Sequence, residues 1–182
     1  MVKIGDIIMK SILSDKLIQK LQEVYDINSQ ILPDIKYECI DPRSCPQYCD
    51  MWLEHMNYLN SIQRFKGYEP TREMFSEALN KFNSSHEQTK LFTATENNNL
   101  IGFLQCGIID WYAFVSDLHV KENYRGFGIG SNLFKNCLEW VNKNKRISVV
   151  ELEVAGGNEK VLRFYEKNGF AIDKYTLRKE VN

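Results

Sequence analysis

The 182-residue sequence has no surplus of either charge: 23 lysines and arginines stand against 24 aspartates and glutamates, for a net charge of −1. That balance excludes a non-specific nucleic-acid binder, which needs a broad basic field. It leaves room for a local basic patch around a phosphorylated ligand. No stretch approaches the roughly 20 consecutive apolar residues that a membrane span requires. Met1–Lys10 lacks the charged start and long apolar run of a secretory signal. There is no internal repeat and no low-complexity tract. The cysteines number five, an odd count that favours free thiols and a reducing compartment. These absences together predict a cytoplasmic protein.

What is present is a globular composition, 43% hydrophobic with 12% aromatics, and length enough for one sizeable core. Residues 1–34 read as a helical extension. Leu13, Leu17, Ile18, Leu21, Val24 and Ile31 recur near helical period before Pro33 stops the helix. Such a helix packs on one edge of the domain or forms a homodimer contact. The domain proper spans 35–182. "IKYECI" alternates like a strand, and two helices follow in "PQYCDMWLEHMNYLN" and "TREMFSEALNKF", joined by a polar loop around "KGYEP". "KLFTATE", the turn "NNN" and "LIGFLQCGI" predict a hairpin, and "YAFVSDLHV" a further strand. A helix in "GIGSNLFKNCLEWVNK", a strand in "SVVELEVA", a helix in "NEKVLRFYEKNG" and a closing strand in "FAIDKYTLRKEV" complete the order. The fold class is α/β (α+β). The strand–helix–strand step through "FVSDLHV" and "SVVELEVA" implies a parallel pair inside a mostly antiparallel sheet.

The stretch "NYRGFGIGSNLF" places Gly126, Gly128 and Gly130 between a strand and a helix. Consecutive backbone N–H groups there, with the helix's partial positive end, make an anion site that phosphate oxygens can reach. Arg125 and Ser131 add donors at either end. A Walker loop is excluded because no lysine follows Gly130. A dinucleotide fingerprint fits badly, since "KENYR" separates the strand from the first glycine and Ser131 holds the sixth position. The pattern R-x-x-G-x-G fits Arg125, Gly128 and Gly130 without strain.

"DLHVKENYRGFGIGSNLF" together with "NEKVLRFYEKNGF" resembles the GNAT superfamily of acyl-CoA-dependent N-acetyltransferases, over about residues 36–182. The resemblance implies a mixed sheet whose central parallel strands splay apart, with helices on both sides. It implies that Arg125, Gly126, Phe127, Gly128, Ile129, Gly130 and Ser131 hold the pyrophosphate of acetyl-CoA. The main chain of Leu118, His119 and Val120 would bond the pantetheine arm beside a bulge. Asn158 falls where the family places an asparagine near the cofactor, and it serves equally as a helix N-cap. Tyr165 falls where a family tyrosine faces the thioester sulfur, although a core role suits the same position.

Acetyl transfer to an amine needs a group that takes a proton, because an alkylamine of pKa near 10.4 is only about one part in 2,500 neutral at pH 7. The candidates are Asp117, His119, Glu151 and Glu153, with Asp117 preferred. Small-amine acetyltransferases resemble this chain closely in "YRGFGIGS" but carry a glutamate where Ser116 stands. Cys39, Cys45, Cys49 and His55 lack the C-x2-C spacing of structural zinc, so no metal is expected. The implied activity is transfer of acetyl from acetyl-CoA to an amine of a small molecule or polypeptide. A non-catalytic acyl-CoA-binding module of the same fold is the alternative.

Overall fold

Asn97 and Asn98 both take positive φ, 49° and 63°, which is the geometry of a two-residue turn whose twist matches the strands it joins. It links β2 (Gln88–Glu96) to β3 (Asn99–Ile109), and β3 runs antiparallel to β4 (Tyr112–Val120). The computed structural model describes residues 34–63 and 69–179. The helical extension expected over 1–34 lies outside them except for Asp34, as do residues 64–68 of the loop around "KGYEP". From Lys36 onward the chain forms one compact unit.

The sheet has the order β1-β2-β3-β4-β5, with β1 at Ile35–Ile40 and β5 at Val149–Leu152. β5 pairs with β4 in parallel, as the strand–helix–strand step requires. The register of β3 on β4 shifts between Gln105 and Cys106: Gln105 faces Asp117 and Cys106 faces Val115, which leaves Ser116 as a bulge. Parallel pairing to β5 reaches only Val115 and Leu152, whereas β4 continues to Val120. The two central strands therefore part at the bulge.

Helix α3 (Ile129–Val141) packs on one face of the sheet through Ile129, Leu133, Phe134, Cys137 and Val141, the stripe its 3.6-residue period predicts. Helix α4 (Glu159–Lys167) joins it there, with Phe164 and Tyr165 edge-on to Phe134. The opposite face carries α1 (Tyr48–Ile62) and α2 (Arg72–Ser85). Tyr48, Met51 and Trp52 of α1 bury against Leu91, Leu100 and Phe103. Gln47, just before α1, clips the hairpin: its side chain donates to the Asn98 carbonyl and accepts from the Leu100 N–H. Thr71 caps α2 by accepting from the Met74 N–H. Yet α2 buries no residue fully; Phe75, Leu79 and Phe82 stay half-exposed along its apolar stripe.

The closing strand expected in "FAIDKYTLRKEV" is not formed over the described residues, which stop at 179. Phe170 packs on Phe134 and Tyr165, and then the chain leaves the core, with Tyr175 and Leu177 strongly exposed. The apolar residues explain this. Phe170 and Ile172 are two apart, but Tyr175 follows after three, so one strand face cannot bury them all.

Candidate active site

Two groups of residues meet where β4 leaves β5. The first is the glycine loop. A single 3-10 turn over Glu122–Tyr124 reverses the chain after β4 and delivers it to α3. Gly126 and Gly128 have φ of 87° and 77°, values that L side chains adopt only under strain. A Cβ at either would meet nothing within 4 Å, so the outer surface of the loop is open. Ile129, Gly130 and Ser131 form the first turn of α3, whose N–H groups have no partner inside the helix. Ile129 is buried, so only its backbone faces the opening, whereas Phe127 and Ser131 are exposed. The loop thus has the open backbone surface and positive end that a pyrophosphate needs.

Arg125 braces this loop from within. Its Nε donates to the Val120 carbonyl at 2.9 Å, and its guanidinium lies 4.8 Å over the Tyr58 ring. On β4, a Cβ added at Gly102 would lie 3.3 Å from the His119 carbonyl, so that carbonyl faces β3. Strand alternation then turns the backbone groups of Leu118 and Val120 towards the gap beyond β4. Asn158 occupies the N-cap position of α4, but its side chain makes no capping bond.

The second group lies on the α1–α2 side of the bulge. Asp117 Oδ1 stands 3.4 Å from His55 Nε2 of α1, and His55 Nδ1 is buried without a partner among the described residues. His119 Nε2 lies 3.2 Å from Glu54 Oε1, with the His55 ring 5.1 Å away. Burial pulls His119 down to a pKa of about 4 despite the Glu54 carboxylate, so the imidazole is neutral at pH 7. Beside Asp117, Gln105 Oε1 accepts from the Tyr48 hydroxyl at 2.8 Å and from the Ser116 hydroxyl at 3.1 Å. Gln105 Nε2 is buried without an acceptor among the described residues.

Tyr165 completes the arrangement from α4. It is nearly buried among Phe134, Phe164 and Phe170. Burial, and then the charge of Asp117, push its phenol up to about 12. Glu151 and Glu153 belong to the exposed rim at β5.

A pocket of about 180 Å³ opens beside this centre, between α1, α2 and the bulge. Trp52, Phe75, Leu79 and Phe82 form much of its wall, and Gln105, Ser116 and Asp117 its polar end. His55, Glu54, Gln105 and Tyr48 were not singled out for acetyl transfer by sequence reasoning. One signal was available: Tyr48, Trp52 and His55 recur at helical spacing, so a histidine sits on a face otherwise fit for the core.

Residues 52–170 match the model of the acetyltransferase (GNAT) family. An uncharacterized N-acetyltransferase of Methanocaldococcus jannaschii is 25% identical over 121 residues, 62% of this chain and 53% of that protein. The chain thus spans about half the length of that relative. One of Archaeoglobus fulgidus is 27% identical over 116 residues, 59% of this chain and 78% of the relative. Among solved structures, the PaiA N-acetyltransferase of Thermoplasma acidophilum in complex with coenzyme A superposes with a TM-score of 0.64. It is 21% identical, and the superposition covers 79% of this chain and 93% of that one.

Proposed function

Since the chain belongs to the acetyltransferase (GNAT) family, we propose that it transfers acetyl from acetyl-CoA to a primary amine. The observation that carries this reading is the convergence, where β4 parts from β5, of an open glycine loop and a bulged strand that bears Asp117. When bound, acetyl-CoA supplies an acetyl thioester: an N–C bond forms to the amine as the C–S bond breaks.

Gly126 to Ser131 hold the pyrophosphate by backbone N–H groups, and Arg125 keeps that loop against β4 through Val120. The backbone groups of Leu118 and Val120 line the slot for the pantetheine arm, and Asn158 offers an amide near it. His119 supports this strand by its side chain, which is buried and lies against the Glu54 carboxylate. Asp117, with His55 against it, accepts the proton that the amine must lose. Tyr165 holds a proton at its hydroxyl for the departing sulfur. With a phenol near 12 and a thiol near 8.5, full proton transfer is uphill by about 3.5 pK units, or roughly 5 kcal/mol. The hydroxyl therefore assists by hydrogen bonding to the sulfur as charge develops there. Five free cysteines, with Cys39 exposed, support a reducing, cytoplasmic setting.

The test is thiol release from acetyl-CoA across an amine panel, together with direct measurement of coenzyme A binding. Amine-dependent release is expected. Tight coenzyme binding with no amine-dependent release would establish the non-catalytic module instead.

A further inference from the structure

We propose that the amine acceptor is a small monoamine on an apolar, preferably aromatic, body, seated between α1 and α2 with its amino group at Asp117. The inference rests on the acetyltransferase reading above and names the substrate of that same site.

Three observations support it. Among the described residues that line the pocket, Asp117 is the one charged side chain, and it follows the bulge at Ser116. A single carboxyl pairs with a single ammonium. A second cationic end would lie against Trp52, Phe75 or Phe82 without a carboxylate, and an unpaired charge in an apolar setting is costly. The walls are aromatic and aliphatic, and Phe75, Leu79 and Phe82 of α2 are only partly buried although Phe75 and Leu79 pack against the core. An apolar ligand there would cover surface that the protein itself leaves open to water. Finally, about 180 Å³ is below the range of pockets that take drug-sized molecules. That volume suits one ring on a short chain and is too small for several linked sugars.

The experiment compares 2-phenylethylamine, cadaverine and a lysine-containing peptide as acceptors, and measures their binding to the protein with coenzyme A present. 2-Phenylethylamine should exceed cadaverine in kcat/KM by about 10²-fold, the scale of leaving one ammonium unpaired in an apolar site. Ala78 lines the pocket from an exposed position on α2, so Ala78→Glu adds a second carboxyl without disturbing the core. That variant should gain up to about fivefold with cadaverine, the worth of one exposed charge pair. It should lose several-fold with 2-phenylethylamine, whose ring would lie against the added carboxylate. Equal or better use of cadaverine or the peptide by the wild type overturns the proposal while leaving acetyl transfer intact. Selective binding of 2-phenylethylamine without thiol release, lost in Ala78→Glu, supports the pocket assignment and overturns acetyl transfer. Absence of both binding and turnover of 2-phenylethylamine overturns the pocket assignment.

Discussion

The two ends of the site are built from different materials. The glycine loop, Arg125 to Ser131, is one continuous stretch whose proposed working groups are backbone N–H donors, left open by the absence of side chains at Gly126 and Gly128. The acceptor end is made of side chains: His55 and Trp52 from α1, Phe75 and Phe82 from α2, Gln105 from β3 and Asp117 from β4. A backbone cradle needs glycine at fixed intervals and a helix directly after it, which is a local requirement. A side-chain pocket needs only that distant elements arrive together. The first kind of site tolerates little sequence change; the second can change its specificity by single substitutions.

The sharpest way to separate the two ends is Asp117→Asn. It should lower kcat/KM for the amine by about 10³-fold, within the range for loss of a general base, while coenzyme A affinity holds. Unchanged turnover would transfer the proton-accepting role to another group. The acceptor end should also carry a pH signature that the loop lacks. His119 is depressed from an ordinary value near 6.5 to about 4 in the folded protein. The unfolded chain thus takes up a proton first, and this contribution to stability, present above about pH 6.5, is lost as pH falls towards 4. Its slope is at most about 1.4 kcal/mol per pH unit. Urea midpoints at pH 7, 5.5 and 4.5 should fall less steeply in His119→Gln than in the wild type. Parallel curves would refute the assignment.

Tyr165→Phe keeps the ring among Phe134, Phe164 and Phe170 and removes only the hydroxyl. Turnover at saturating substrate should fall about 10²-fold with coenzyme affinity unchanged. Wild-type turnover would mark Tyr165 as a packing residue. The smallest effects divide the loop itself. Gly128→Ala must place a Cβ at φ 77°, so it should cost about 1 kcal/mol of stability and weaken coenzyme A binding about tenfold. Gly130 lacks positive φ, and a Cβ there would make ordinary contact with Val120 at 3.9 Å. Gly130→Ala should therefore change stability by no more than about 0.5 kcal/mol and leave binding intact. Calorimetry on the two variants checks the pair; equal losses would mean that the loop is not read through Gly128.

Much of the fold was legible because its signals are local. The stripe on α3 and the Asn97–Asn98 turn each follow from residues within a few positions of one another. The closing strand was misread because Phe170, Ile172, Tyr175 and Leu177 look strand-like in composition while their spacing breaks period two. His55 was weighed only as a metal ligand, since nothing near it in the chain points to Asp117.

By itself, the sequence determined that Gly126, Gly128 and Gly130 would fall in a loop between a strand and a helix, because glycine spacing and helix onset are short-range properties of the chain. Only the tertiary structure decided that Ser116 would be the bulge, that β4 would part from β5 beyond Val115, and that His55, some sixty residues before Asp117, would lie against it. Those outcomes depend on the register between strands and on how α1 settles over the sheet. Register and docking are set by the sum of many distant contacts, which no single stretch of the chain contains.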